Sequence, residues 1–254
     1  MAKQVRNPVA KKQIEYSSRI TVAEANDIIR KFVGVPFRDL ADFAEIKDLK
    51  TDKGLVGKIL ERKIGIPNSN AQIDLADGEL KTNKCNVEGL PKERIFITQI
   101  KTQFDNIIAG QEFEETHLFK KIQRLLYVPV CKDGEQANWF FFPPILVDLN
   151  SSYFENIKKH LKSDHRRIVD QLKRHIEVDG EIHTANGTLI QVRTKDYRPY
   201  SPIFSKIYDK EIANKNYAFY FLPVFGTFLQ LLSSDYPYRQ NIGRISKVTL
   251  KKIG

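Results

Sequence analysis

Two acidic residues and one lysine stand close together around a turn signal, Asp77-Gly78. Asp74 precedes this dipeptide, and Glu79 and Lys81 follow it. If Asp77-Gly78 forms a two-residue hairpin turn, Asp74, Glu79 and Lys81 share one face, because side chains alternate along a strand. Directly paired Cβ atoms in such a hairpin lie about 5 Å apart. The spacing therefore predicts two carboxylates that converge on one hard cation, with an ammonium group beside them.

These residue types suit the hydrolysis of a phosphodiester bond. Mg²⁺ is commonly held by one or two carboxylates together with water and phosphate oxygens, and it polarises the phosphate and stabilises the leaving oxygen. Lys81 would reach the same phosphate or lower the pKa of the attacking water. A solvated hairpin with a polar outer face explains the same three residues without any chemistry. Asp77 is an alternative metal ligand to Asp74.

The composition indicates a globular protein whose positive charge suits a polyanionic partner. The chain has 254 residues, 41% of them hydrophobic, a formal net charge of +10 and a pI of about 9.4. A basic surface of this size favours a polyanion, most often nucleic acid, although a basic solubility surface has the same composition. No apolar run is long enough to cross a bilayer, so we expect no membrane partner.

The cysteine content indicates the cellular compartment, and the motifs that the sequence lacks limit the cofactors that the protein could need. With only two cysteines, Cys85 and Cys131, reduced thiols in a cytosol are the simpler interpretation. We therefore expect a cytoplasmic protein. The sequence has no Cys-x-x-Cys, phosphate-binding P-loop or dinucleotide glycine motif. We therefore expect no ATP requirement, so any cleavage at the acidic turn should need only Mg²⁺, with Mn²⁺ as a substitute.

Helices and strands alternate along the chain, which predicts an α/β fold. A long basic helix, whose face is either solvated or in contact with phosphates, is among the predicted helices. The predicted helices cover residues 21–34, 51–65, 114–126 and 153–176, and the predicted strands include residues 94–100 and a strand after the turn at Asn186-Gly187.

The helix before the acidic turn strengthens the interpretation of that turn as a catalytic site. From residue 52 its sequence is DKGLVGKILERKIG, and an acid and then GELKT follow. This block resembles the MutH family of DNA endonucleases, which includes GATC-cutting type II restriction enzymes and belongs to the wider PD-(D/E)XK nucleases. The resemblance covers about residues 50 to 232 in order, with gaps. It implies a restriction-endonuclease-like fold, with a mixed central sheet flanked by helices and two lobes that form a DNA cleft.

The resemblance extends to three further segments, ETHLFKKIQRLLYVPV, GTLIQVRTK and AFYFL. It also implies the roles of individual residues. The implied catalytic residues are Glu61, Asp74, Glu79, Lys81 and Lys121, the implied metal ligands among them are Glu61, Asp74 and Glu79, and the implied DNA-binding residues are Lys53, Arg193, Lys195 and Tyr220.

Two departures from the family pattern stand out. The family usually has two more residues between the aspartate and the Glu-x-Lys, so the position of Asp74 depends on a tight turn. The segment after Tyr220, FLPVFGTF, lacks the lysine pair expected there. This second departure concerns the recognised base sequence more than the chemistry.

Together these observations predict a Mg²⁺-dependent type II restriction endonuclease that acts on double-stranded DNA, with GATC as the target by resemblance only. A nicking enzyme of methyl-directed mismatch repair shares every site residue, and a non-catalytic basic DNA-binding protein is the alternative from another class. We expect a lead-in over residues 1–17, an N-terminal lobe with the catalytic site over 18–110 and a C-terminal lobe with the recognition elements over 111–254. A monomer and a transient dimer on DNA are equally compatible with the sequence.

Overall fold

A computed structural model provides the architecture of most of the chain. It describes residues 19–49, 52, 54–66, 73–195 and 198–236. Lys53 and the predicted lead-in over residues 1–17 lie outside the described residues.

Helices of very different length surround the strands. In chain order they are α1 (Val22–Arg30), α2 (Phe37–Leu40), α3 (Phe43–Asp48), α4 (Leu55–Lys63), α5 (Phe104–Ile108), α6 (His117–Ile122), α7 (Glu155–Asp179) and α8 (Pro223–Leu232). Within the described residues, none of these helices combines the length and the apolar character that a membrane crossing requires.

Within the described residues, the strands form two four-stranded sheets and one hairpin. Their bounds are β1 (Glu79–Cys85), β2 (Ile95–Gln99), β3 (Arg124–Cys131), β4 (Phe140–Phe141), β5 (Ile145–Asp148), β6 (Ala185–Asn186), β7 (Ile190–Thr194), β8 (Ile203–Ser205), β9 (Lys210–Ala213) and β10 (Tyr217–Phe221). The predicted mixed α/β architecture is therefore confirmed.

The first sheet holds the acidic segment. Strand β1 pairs in parallel with β3, and β3 pairs antiparallel with β4 and β5. The second sheet has the order β2-β10-β7-β6 and is antiparallel. Each sheet joins strands from both sides of residue 110, so the predicted lobe boundary does not coincide with a break between sheets.

Strand β3 is central because it packs against a core on each face. Leu126, Val128 and Val130 belong to the core under α1 and α4, whereas Leu125 and Tyr127 belong to the core shared with the second sheet. A strand buried on both faces is apolar at nearly every position. This explains why a helix predicted over residues 114–126 is wrong at its end: α6 stops at Ile122, and the two leucines that follow are strand residues.

The first two predicted helices follow their local signals. Thr21 caps α1 through a capping box with Glu24, in which each side chain accepts from the backbone of the other residue. In α4 the apolar residues Val56, Ile59 and Leu60 recur at helical spacing and are buried. The helix ends just before Gly65, whose φ of 76° lies in the left-handed region that favours glycine.

Both cysteines lie inside the first sheet. Cys85 and Cys131 are register partners on β1 and β3. Their thiols are free and buried.

Candidate active site

The centre of the candidate site is the carboxylate of Glu79 at the start of β1. It is only 3% exposed and accepts hydrogen bonds from two ammonium groups. Nζ of Lys81 lies 2.5 Å from its Oε1, and Nζ of Lys121 lies 3.0 Å and 3.1 Å from its two oxygens. A carboxylate removed from water needs such charged partners, since an unpaired buried charge is costly. Three residues predicted from the sequence are thus in direct contact.

Asp74 lies beside this pair. Its Oδ2 accepts from the backbone N–H of Leu80 at 3.1 Å and lies 3.9 Å from Nζ of Lys81. The Lys81 ammonium is therefore close to both carboxylates, which places Asp74 and Glu79 within reach of one shared cation.

The turn between the two acids differs from the predicted hairpin. The N–H of Leu75 donates to the carbonyl of Gly78 at 2.9 Å, which centres the reversal on Ala76 and Asp77. The predicted turn at Asp77-Gly78 is therefore wrong by one residue. The strand that follows pairs with β3 rather than with the residues before the turn.

Gly78 has a packing role instead of a turn role. A Cβ at this position would lie 2.7 Å from the backbone oxygen of Arg124 and 2.5 Å from Cγ2 of Val22. No side chain fits there, so the glycine lets the turn approach β3 closely. The reversal still brings Asp74 towards Glu79, as the predicted hairpin would have done. The position of the turn differs by one residue.

Asp77 does not join the carboxylate–lysine cluster. Its Oδ1 accepts from the N–H of Val22 at 2.7 Å, and its Oδ2 lies 2.6 Å from Nη1 of Arg124. Because both of its oxygens are already engaged, Asp77 is the weaker candidate for a metal ligand, and Asp74 is the stronger one.

Glu61 on α4 adds a third acid near the cluster. Burial raises the pKa of its carboxyl first, and the negative charge of Asp74 raises it further. A charge effect of this kind requires proximity. The charges of the cluster therefore act on the Glu61 carboxyl.

His117, one turn before Lys121 on α6, is a neighbour that the sequence did not assign to the site. Its pKa is lowered by burial and then by the positive charge of Lys121. The spacing of four residues on a helix was the available signal, because residues at i and i+4 share one face.

The donor set fits a small hard cation. Two carboxylates close to one ammonium position match the one or two carboxylates that Mg²⁺ takes, with water and phosphate completing its shell. Within the described residues, no group of three or more His, Cys, Asp or Glu side chains is arranged as a metal-binding cluster. The contacts of the described residues support the two-carboxylate set of Asp74 and Glu79, and the role of Glu61 as a metal ligand stays a prediction.

The predicted recognition residues lie on the second sheet, on the outer face opposite the core. Arg193 and Gln191 share one face of β7, and Val192 lies on the other. Arg193 is half-buried, whereas Gln191 is buried, and Tyr220 on β10 is the register partner of Gln191. The guanidinium of Arg193 lies 6.0 Å from the centre of the Tyr220 ring. This distance is within the range of a cation–π contact.

A second cation lies over a ring on the same face. Nζ of Lys195 is 4.1 Å from the centre of the Phe96 ring, and that ring packs edge-on against Tyr220 at 5.8 Å. The sequence did not single out Phe96. Its signal was the alternation along β2, where it is partly exposed between the buried residues Ile95 and Ile97.

The basic helix α7 is only partly available to a polyanion. Lys162 pairs with Glu114 at 2.9 Å and Lys159 with Glu155 at 2.8 Å. His165 is buried and its pKa is lowered to about 4, chiefly by burial. Helix α7 therefore turns His165 towards the core and not towards solvent or phosphate.

The comparisons with known proteins agree with the resemblance that the sequence predicts. Residues 66–141 match the family model of the DNA mismatch repair enzyme MutH. This segment contains Asp74, Glu79, Lys81 and Lys121. The resemblance to the MutH family is confirmed.

Three relatives give the extent of the similarity, and each is a DNA mismatch repair protein MutH. The protein of Haemophilus influenzae strain 86-028NP is 36% identical over 107 residues, which are 40% of this chain and 47% of that protein. The protein of Vibrio vulnificus strain YJ016 is 33% identical over 122 residues, 46% of this chain and 52% of that protein. The protein of Klebsiella pneumoniae strain MGH 78578 is 29% identical over 175 residues, 65% of this chain and 71% of that protein. The chain thus spans about half the length of the first of these relatives.

Proposed function

We propose that this chain, a relative of the MutH family, is a Mg²⁺-dependent endonuclease that cuts double-stranded DNA. The observation that carries the proposal is the contact of Lys81 and Lys121 with the buried carboxylate of Glu79, with Asp74 close to the same lysine. Carboxylates and lysines in this arrangement provide metal ligands and phosphate contacts in one place. The PD-(D/E)XK fold and a DNA cleft between two lobes are part of the proposal.

Asp74 and Glu79 would hold the Mg²⁺ ion. When bound, the ion polarises the scissile phosphate and stabilises the leaving oxygen. Lys81 lies near both carboxylates, where it would neutralise phosphate charge and hold or remove a proton of the attacking water. Lys121 orients Glu79 through contacts with both carboxylate oxygens.

Recognition would fall to the outer face of the second sheet. An arginine in the major groove donates to both O6 and N7 of guanine, which distinguishes this base from the other three. Arg193 is half-buried against Tyr220 and would supply this contact, with Lys195 and Phe96 next to it. GATC, carried over from the resemblance, is the sequence to be tested first.

Between the two enzyme roles, the comparisons favour strand nicking in DNA mismatch repair over restriction. The relatives above are named for mismatch repair. A chain in this role would nick the unmethylated strand of a hemimethylated site, in the cytoplasm and without ATP. A restriction enzyme would instead cut both strands of unmethylated DNA.

One experiment tests the proposal. Supercoiled plasmid with methylated, hemimethylated or unmethylated GATC sites is incubated with the protein and Mg²⁺, Mn²⁺ or a chelator, beside a Glu79→Ala variant. We expect metal-dependent cutting by the wild type alone. Nicked circles from hemimethylated plasmid favour the repair role, and linear products from unmethylated plasmid favour restriction. Binding to DNA without any cutting would leave only the non-catalytic DNA-binding alternative.

A further inference from the structure

We propose that Asp77 is a positioning residue of the candidate active site. It fixes the segment that carries Asp74 and Glu79 against the segment that carries Lys121. The inference rests on the proposed function, because it concerns the geometry of the same site.

The carboxylate of Asp77 joins three parts of the chain. One oxygen accepts from the N–H of Val22, the first residue of α1, at 2.7 Å. The other lies 2.6 Å from the guanidinium of Arg124, the first residue of β3. The first N–H groups of a helix have no partner inside the helix and carry partial positive charge, so a carboxylate is stabilised there. Asp77 thus connects the turn with both α1 and β3.

Backbone contacts hold the turn on the side of α1. The N–H of Ala76 donates to the carbonyl of Ile20 at 2.9 Å, and the guanidinium of Arg19 donates to the carbonyl of Ile73 at 2.9 Å. The residues before α1 therefore run along the turn. On this side, the position of the turn does not depend on Asp77 alone.

On the other side, Asp77 supplies the charged contact with β3. Arg124 lies three residues after Lys121, at the junction of α6 and β3. Gly78 is in close contact with the backbone of this same arginine. The ion pair between Asp77 and Arg124 therefore acts across the gap that Lys121 also crosses to reach Glu79.

The ion pair with Asp77 holds the charged side chain of Arg124 in place. Its side chain is 35% exposed and that of Asp77 is 29% exposed, so water screens the pair only in part. Within the described residues, Asp77 is the carboxylate that pairs with Arg124, and the buried Nε of Arg124 has no hydrogen-bond partner. Loss of the Asp77 charge would leave the half-buried guanidinium of Arg124 without this ion-pair partner and free to move.

The expected effect is on the chemical step. A displacement of reacting groups by about 1 Å costs roughly 100-fold in rate. Asp77→Asn keeps an oxygen for the Val22 amide and removes the charge. We expect kcat to fall roughly 10- to 100-fold, with the KM for DNA nearly unchanged. Arg124→Gln is expected to act in the same direction.

The double variant separates positioning from two independent defects. Residues that share one contact give non-additive effects, whereas independent residues give additive ones. We expect Asp77→Asn with Arg124→Gln to be about as slow as the slower single variant. A kcat loss equal to the product of the two single losses would contradict the inference.

Asp235→Asn is the matched control. It makes the same chemical change and breaks another ion pair with an arginine, between Asp235 and Arg30 at 2.6 Å, which does not contact the candidate site. We expect wild-type kcat from this variant. Thermal unfolding of each variant shows the fraction folded, so kcat is compared per folded molecule.

The outcomes separate this inference from the proposed function. If the wild type and Asp235→Asn cut DNA, Glu79→Ala does not, and Asp77→Asn has wild-type kcat, the positioning role is overturned and the nuclease stands. If the wild type does not cut DNA with either metal, the proposed function is overturned and the positioning role with it. If Asp77→Asn fails to fold, the kcat of Arg124→Gln decides: a wild-type value overturns the positioning role, and a large loss supports it.

Discussion

The carboxylate–lysine cluster and the outer face of the second sheet hold their charged groups in different ways. In the cluster, the side chains of Glu79, Lys81 and Lys121 are 3%, 17% and 16% exposed, and each lysine ammonium lies within 3.1 Å of an oxygen of Glu79. On the sheet face, Arg193 and Lys195 lie over aromatic rings at 6.0 Å and 4.1 Å.

The difference fits the roles proposed for the two regions. Groups that take part in bond breaking must be held at short, fixed distances, since small displacements cost large factors in rate. Groups that contact bases must adapt to a flexible duplex. A cation that lies over an aromatic ring is held in position, and its N–H groups can still donate to a base. Changes in the cluster should therefore reduce kcat, and changes on the sheet face should reduce binding and base selection.

The largest effect is expected from Glu79→Gln. The amide keeps the shape of the side chain but removes the charge that Lys81 and Lys121 contact. Loss of one preorganised charged group costs roughly 10²- to 10³-fold in kcat. Initial rates of plasmid cutting under saturating Mg²⁺ measure this loss, and filter binding should show DNA affinity close to that of the wild type.

Glu155→Gln is the control for that change. Glu155 pairs with Lys159 on α7 at the exposed surface, and such pairs contribute little. Its kcat should equal that of the wild type. Equal rates from Glu79→Gln and Glu155→Gln would remove Glu79 from the site and, with it, the distinction between the two regions.

Lys121→Met should come next, with roughly a 100-fold loss in kcat, comparable to loss of one charged donor at a catalytic centre. The neighbouring Lys120 is exposed on the same helix, and Lys120→Met serves as the matched control because it removes the same charge at a distance from Glu79. Single-turnover cutting rates compare the two. A similar rate for both variants would mean that Lys121 contributes only to the general positive charge of α6.

Much of this cluster was visible in the sequence because its residues lie within short, continuous motifs. Glu79 and Lys81 are two residues apart on one strand, so they share a face whatever the register of that strand. The apolar stripe of α4 and the capping box of α1 depend on the same kind of local spacing. Local patterns of this kind survive when the tertiary arrangement is not known.

The errors arose where distant segments decide the structure. The turn moved by one residue because Gly78 is needed for close packing against Arg124, a contact 46 residues away that turn propensity does not record. The helix predicted to reach residue 126 stops early because Leu125 and Leu126 face two different cores. In the same way, nothing in the local sequence showed that Asp77 contacts Val22 and Arg124.

Arg193→Ala tests the other side of the comparison. If this arginine contacts one guanine, its loss costs about 1–3 kcal/mol of binding to the cognate site and relaxes selection at that base pair. Rates on GATC plasmid and on substrates with single base changes measure both effects. The kcat at saturating DNA should change less than in Lys121→Met.

Arg167→Ala on the exposed side of α7 is the informative contrast. A phosphate contact weakens binding to all sequences equally and lowers the salt dependence of binding by about one counterion. Titrations at several salt concentrations therefore distinguish the two arginines. If Arg193→Ala behaves like Arg167→Ala, the outer sheet face binds the backbone and does not select bases.

The smallest effect is expected at Tyr220, and it tests whether the aromatic ring holds Arg193. Tyr220→Leu removes the ring 6.0 Å from the guanidinium, and a cation–π contact at a partly exposed site contributes about 0.5–1 kcal/mol. Binding to the cognate site should weaken roughly two- to five-fold, by the conversion of 1.4 kcal/mol per factor of ten. Tyr220→Phe keeps the ring and should bind like the wild type.

In the background of Arg193→Ala, Tyr220→Leu should have no further effect, since the cation that the ring holds is then absent. A full additional loss in that background would show that Tyr220 contacts DNA itself, and the hydroxyl would be implicated if Tyr220→Phe weakened binding as well.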